Sequence, residues 1–349
     1  MRFLVATTVA LAASLLSQCA PVGDLSAPSK VQPAKAPVCH RISLWATTNT
    51  SLIGQGASAG ATCITVSLAP ALDPQALKID GSGNIWVATE YSSSAKSGGS
   101  VVEFSPGGGH LESYPWSACP GGYATCTGYG LDAAEDASNV FAGVTSWATM
   151  SPNANGTGFE IFELGEPSVP PTYLSAGTYC SPICKVLYLD VDRSGNLWFD
   201  FFGMGPPGCS AGYGLGEVTN PTSDPVVSIV KAPCAHPFDA KGIVAGGVYV
   251  SANGYLNITN EKTRKTYQYP LPVTAGSPVA HVLGPTAVAL GKPIGGGFDH
   301  SDTVMVIGDA AGGLDIGRNV DKPPGKWGTK HPRACTPGCY GAAPTPSDK

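Results

Sequence analysis

Two stretches of this 349-residue chain share one layout: Ile79-Asp80-Gly81-Ser82-Gly83-Asn84-Ile85-Trp86-Val87 and Val191-Asp192-Arg193-Ser194-Gly195-Asn196-Leu197-Trp198-Phe199. Each reads as a strand, an Asp-x-x-Gly-Asn turn, and a second strand carrying Trp. Asp and Asn bond locally to backbone, and Gly accepts positive φ, so the middle of each stretch is turn chemistry. A calcium loop would need more carboxylates at fixed spacing. A weaker copy runs through Glu135-Asp136-Ala137-Ser138-Asn139-Val140-Phe141. Three more segments keep the strand without the turn: Ser43–Ala46, Gly247–Val250 and Thr303–Val306. The anchors are therefore Trp45, Trp86, Phe141, Trp198, Tyr249 and Met305, recurring about every 50 residues, a period that marks repeat architectures.

Each anchor is followed by a short alternating run bounded by turn residues, such as Val101–Phe104, Phe159–Phe162 and Leu215–Val218. Such runs are antiparallel strands. Four strands per 50-residue unit is the pattern of a propeller blade. One blade cannot bury both its faces, so neighbours stack and enclose the aromatic anchors. The expected fold is all-β: a six-bladed β-propeller of four-stranded antiparallel blades over residues 39–340. Residues near 36–42 or the tail after Lys326 would close the ring. Composition agrees. The 45 Gly and 31 Pro oppose long helices, while 43% hydrophobic residues and six Trp supply a core. A net charge of −5 leaves no electrostatic footprint for nucleic acid.

The N-terminus reads as an export address. Arg2 precedes an apolar run from Phe3 to Leu16 that is short for a membrane span. The following Leu16-Ser17-Gln18-Cys19 resembles a bacterial lipobox, with Gln18 standing where the pattern has a small residue. The expected organisation is a signal peptide over 1–18, a lipidated Cys19 and flexible linker over 19–38, the propeller, and a disordered tail over 341–349. The product is a membrane-anchored lipoprotein or a secreted or periplasmic protein, expected as a monomer. Setting Cys19 aside leaves an even ten cysteines: Cys39, Cys63, Cys119, Cys126, Cys180, Cys184, Cys209, Cys234, Cys335 and Cys339. In an exported chain these are disulfide candidates, paired here by proximity as neighbours. A metal site built from the Cys180–Cys184 and Cys335–Cys339 segments is the alternative.

The Asp-x-x-Gly-Asn-[Ile/Leu]-Trp units at 79–106 and 190–220 resemble NHL-type propeller repeats and those of the virginiamycin B lyase family. The first resemblance implies a recognition scaffold. The second implies a metal-dependent enzyme that uses His and Glu, for which His236 and His281 are the histidine candidates without a supporting motif.

Oxygen donors at comparable strand positions, Glu90, Asp200, Asn253 and Asp309, form the candidate metal set. Calcium and magnesium favour such hard ligands, and resemblance to gluconolactonase-like propellers suggests a metal at this kind of position. Equally, these residues can be polar strand ends. Lys78, Asp132, Asp190, Asp239 and Thr286 lie on inner strands and could line a channel. Two Gly-x-Ser-x-Gly matches, 56–60 and 208–212, lie in loops, without the strand-to-helix turn a nucleophile elbow requires. Two readings follow. One is a noncatalytic binding or scaffold module that takes a protein or small-molecule ligand through an apolar loop patch including Trp116, Trp147 and Phe202. The other is a metal-dependent lactonase or lyase with a Ca or Mg ion.

Overall fold

The computed structural model describes residues 42–48, 50–56, 62–68, 74–80, 82–92, 100–115, 125–127, 131–132, 147–152, 158–164, 172–175, 177–180, 184–238, 245–251, 254–260, 263, 265–283, 293–298, 304–309, 314–318, 326–331 and 341–344. The chain divides into two units, Met1–Ala36 and Pro37–Lys349, and every described residue lies in the second.

That unit is all-β. Strands β1 (Ile42–Thr47), β2 (Ser51–Gly56) and β3 (Thr62–Ser67) form the first sheet. Then come β4 (Pro74–Ile79), β5 (Ile85–Ser92), β6 (Ser100–Phe104), β7 (His110–Pro115), β8 (Thr125–Thr127), β9 (Leu131–Asp132), β10 (Trp147–Pro152), β11 (Phe159–Glu163) and β12 (Thr172–Leu174). Three four-stranded antiparallel meanders follow. They are β13 (Cys184–Val191), β14 (Leu197–Gly203), β15 (Gly212–Thr219) and β16 (Val226–Lys231); β17 (Ala245–Val250), β18 (Tyr255–Asn260), β19 (Lys265–Pro270) and β20 (His281–Leu283); and β21 (Pro293–Phe298), β22 (Val304–Asp309), β23 (Leu314–Arg318) and β24 (Lys326–His331). The last strand, β25 (Gly341–Pro344), returns to pair with β1 and completes the first sheet in the order β25-β1-β2-β3. The chain's end therefore closes its beginning. Residues 341–344, expected in a disordered tail, are part of that closure.

The expectation of six four-stranded blades is corrected. Four four-stranded sheets stand as separate blades, and the strands between Pro74 and Leu174 belong to one nine-stranded sheet. The cause is local. Residues Ile85–Ala88 of β5 pair with β6, and the Thr89 hydroxyl closes that ladder against the Ser100 backbone at 2.7 and 2.9 Å. The strand then runs on, and Glu90–Ser92 pair with β8. On its other edge β8 pairs with Ser151–Pro152, where β10 likewise outruns its partner β11. Free strand edges take up available partners, so one three-residue strand joins two ladders.

Two anchors also shift. Phe141 lies outside the described residues, and the strand in that repeat is β10. There Trp147 pairs with Asp132, in the register that sets Trp86 against Lys78 and Trp198 against Asp190. Trp147 is 4% exposed within the core and is not part of a loop patch. Tyr249 lies on the first strand of its blade; β18 occupies the place of β5 and β14.

The repeated turn explains its own spacing. The Asp192 N–H donates to Asn196 O (2.9 Å) and the Gly195 N–H to Asp192 O (2.9 Å). Asp192 Oδ1 accepts from the Asn196 N–H at 3.0 Å, and Oδ2 from Trp198 Nε1–H at 3.0 Å. The 80–86 copy repeats all four bonds. Gly83 and Gly195 hold φ of 83° and 81°, which is why Gly stands three residues after each Asp. A third copy is disguised: Ser251 and Gly254 make the same backbone bonds, with the Ser251 hydroxyl in place of the carboxylate. Asp192→Ala strips acceptors from the buried Trp198 indole and the Asn196 N–H. We expect it to cost about 1–3 kcal/mol, read as a lower denaturation midpoint with an unchanged slope.

Core residues sit between blades. On β14, Leu197, Phe199 and Phe201 face Trp147, Phe159 and Ile161, while Trp198 faces Val248, Val250, Leu256 and Ile258. A strand with both faces buried this way must be apolar at successive positions, as Leu197–Phe199 is. Against that background, a buried acidic side chain on the same strand stands out.

Candidate functional site

That side chain is Asp200, fully buried two residues after Trp198. Opposite it, the β13–β14 ladder is irregular between Val186 and Tyr188. Asp200 Oδ1 accepts the Tyr188 N–H at 2.7 Å next to that irregularity. Oδ2 makes no hydrogen bond among the described residues. Burial pushes the Asp200 carboxyl well above the usual carboxylate range, opposed by backbone N–H bonds from Tyr188 and Asp200 itself. A protonated, neutral carboxyl is the form this site favours.

Lys78, Asp190 and Tyr249 meet close by. They lie on β4, β13 and β17, each the first strand of its ladder. Lys78 Nζ lies 3.2 Å from Asp190 Oδ1, the two side chains being 13% and 9% exposed. Asp190 Oδ2 accepts the Val250 N–H at 2.6 Å, so this carboxylate joins three strands far apart in sequence. The Lys78 ammonium also sits 5.5 Å from the centre of the Tyr249 ring, a cation–π contact. The Tyr249 phenol is raised well above its ordinary value, first by burial, then by Tyr188, Asp200 and Asp190. Its backbone carbonyl accepts from Asn257 Nδ2–H (3.2 Å), and Asn257 Oδ1 in turn accepts from Gln268 Nε2–H (2.7 Å). The arrangement neutralises charge and satisfies donors.

Sequence position puts Lys78 and Asp190 into one inner-strand set, and the structure joins them. Asp132 shares their register on β9; Asp239 and Thr286 lie outside the described residues. Tyr249 belongs with the pair although its sequence context marks it as a blade anchor. The signal for its place is Asn257, which stands at the Trp position of the hidden third turn.

The metal set is placed differently. Asp200 is buried in mid-strand. Glu90 lies on β5 opposite Thr127, and Asp309 ends β22 opposite Pro293, both placed here by backbone alone. Asn253 lies outside the described residues. Among the described residues no three His, Cys, Asp or Glu side chains gather as a metal site.

Among the cysteines, Cys209 and Cys234 form a disulfide. Cys63 is in a disulfide, and so is Cys180. Cys126 and Cys184 lie on β8 and β13, and Cys19, Cys39, Cys119, Cys335 and Cys339 lie outside the described residues. Ser210, in the second Gly-x-Ser-x-Gly match, is an exposed loop residue between two strands. Phe202 packs edge-on against Tyr213 at 5.1 Å, and exposed His236 against Tyr267 at 5.2 Å. His281 tilts against Tyr255 at 5.7 Å. Trp116 lies outside the described residues. Lys231, 8% exposed, bonds Ala275 O (2.7 Å) and Ser277 O (3.3 Å) in the next blade, and desolvation lowers its pKa.

No protein-family model matches the chain, and no curated protein matches it. Solved structures do. A protein of unknown function from Bacteroides caccae aligns with a TM-score of 0.50 at 10% identity, over 87% of this chain and 99% of that one. A candidate 6-phosphogluconolactonase from Bacteroides uniformis aligns with a TM-score of 0.50 at 11% identity, over 83% and 82%. A catalytically inactive virginiamycin B lyase from Staphylococcus aureus, with quinupristin, aligns with a TM-score of 0.45 at 12% identity, over 76% and 71%. At these identities the likeness is one of fold: the chain is an all-β β-propeller.

Proposed function

We propose that this chain is an exported β-propeller that binds a protein or small-molecule partner through its loops and catalyses no reaction. One observation carries the reading. The titratable groups best placed for chemistry are engaged in joining strands: Lys78 with Asp190, Asp190 with the Val250 N–H, and Asp200 with the Tyr188 N–H. The NHL-type rhythm of the repeats fits a recognition scaffold. The signal-like residues 1–18 and the lipobox-like Cys19 fit export, and the Cys209–Cys234 disulfide fits an oxidising compartment. On this reading residues 19–38 tether the propeller to a membrane, or precede it in a secreted protein.

The competing reading, a metal-dependent lactonase or lyase, needs a cation held by Glu90, Asp200, Asn253 and Asp309. Thermal melts of the mature protein with Ca²⁺, Mg²⁺ or a chelator separate the two. Binding to the folded state alone raises the midpoint. We expect the three midpoints to coincide. A cation-dependent rise that disappears in both Glu90→Gln and Asp309→Asn would overturn the noncatalytic reading.

A further inference from the structure

The disulfide between Cys209 and Cys234 bridges two connections of one blade, the β14–β15 loop and the segment that follows β16. Both cysteines are partly exposed. Cys234 has φ of 68°, the left-handed region that residues with a Cβ avoid. The Cys234 N–H donates to Tyr213 O at 3.0 Å, which holds it there. Both sulfurs also lie near one carbonyl: Ala211 O is 3.6 Å from Cys209 Sγ and 3.8 Å from Cys234 Sγ. Once reduced, either thiol would have an acceptor already in place. A Cβ on Gly205 would meet Cys209 Sγ, and one on Gly212 would meet Cys234 Sγ, so small residues surround the bridge. The loop from Gly203 to Gly212 contains no charged residue.

We propose that Cys209–Cys234 is a redox-sensitive clasp on the loop face: a dithiol opens it before the chain's other disulfides, with the blade intact, and opening releases the segments beside the Phe202–Tyr213 pair. A bridge that is accessible and tied to a strained backbone, and whose reduced form is accommodated, is more oxidising than a relaxed structural one. The chemistry balances as thiol–disulfide exchange. One thiolate of the dithiol attacks one sulfur and forms a mixed disulfide, and the departing cysteine sulfur takes up a proton. The second thiol of the reductant then displaces the other cysteine. Two electrons and two protons pass to the protein, and the reductant leaves as its own disulfide. A binding face ordered by this bridge would differ between the two states. This goes beyond the binding reading and can fail while that reading stands.

The test equilibrates the mature protein in reduced and oxidised dithiothreitol at graded ratios, traps thiols by alkylation, and maps them by peptide mass. Expected is alkylation of Cys209 and Cys234 at a more oxidising ratio than Cys63 and Cys180. The far-ultraviolet circular dichroism should be unchanged, and cleavage by proteinase K within 204–212 should rise at least tenfold. Reduction together with or after Cys63 and Cys180, loss of the far-ultraviolet β-sheet signal on opening, or unchanged cleavage would each overturn the proposal. Two variants test the strain separately. Cys209→Ser/Cys234→Gly should melt above Cys209→Ser/Cys234→Ser, because Gly accepts φ of 68°. An equal or lower midpoint for the Gly variant would remove the strain argument.

Discussion

Unfolding free energy will fall as pH rises above the ordinary carboxylate range, and Asp200→Asn will remove much of that fall. In the folded protein the Asp200 carboxyl is raised by burial, so it keeps its proton at pH values where the unfolded chain, with a pKa of about 3.9, has released it. The folded state then binds more protons than the unfolded one, and stability drops with increasing pH. The contribution is fully present below the unfolded pKa and is lost as pH climbs to the folded pKa. Within that window one proton gives a slope of about 1.4 kcal/mol per pH unit. Glu103, Glu160 and Glu217 are also raised by burial, so the quantity to read is the difference between wild type and variant. Asn keeps an oxygen for the Tyr188 N–H and does not titrate. The two proteins should therefore be similar in acid and diverge toward neutral pH, with the Asp200→Asn variant the more stable. Asp200→Ala should instead cost about 1–3 kcal/mol even in acid, because it orphans that N–H. Urea unfolding at a series of pH values measures all three, and parallel curves for wild type and Asp200→Asn would mean that Asp200 is ionised in the fold.

Much of this architecture can be read from residues that do one local job. The Asp-x-x-Gly-Asn-x-Trp spacing marks two hairpins because each residue in it fills a separate bond or a separate φ requirement. The third copy escapes such a reading because Ser251 supplies a hydroxyl for the carboxylate and Asn257 replaces Trp, so the geometry persists while the residues change. Trp147 is hidden as an anchor for a related reason: the better-looking turn at 135–141 draws the expected strand too early. The joining of two ladders by β8 depends on how far β5 and β10 outrun their partners, a matter of tertiary pairing that Thr125–Thr127 does not announce. At the centre, inner-strand position is enough to select Lys78 and Asp190. Their contact is not foreseeable, because it depends on strands brought together only by closure of the fold. Asp200 stands out in the sequence as an acid among apolar residues, which suggests a metal ligand. Its burial and its bond to the irregular ladder at Tyr188 give it a different environment.

Lys78 and Asp190 tie together strands that lie far apart in sequence. Removing one partner of a buried ion pair leaves the other uncompensated and costs about 3–5 kcal/mol. Lys78→Met leaves the Asp190 carboxylate with backbone donors alone. Asp190→Asn removes the carboxylate charge that faces the ammonium and keeps the contact with the Tyr249 ring, while the Asn oxygen still serves the Val250 N–H. Each single change should therefore be severe, and the double variant should recover part of the loss. A double-mutant cycle by urea unfolding of wild type, Lys78→Met, Asp190→Asn and the double variant is the most direct measurement. The double variant should be less destabilised than the sum of the singles, by about 1–3 kcal/mol. Additive effects, with both singles within about 0.5 kcal/mol of wild type, would show that the pair does not hold the fold.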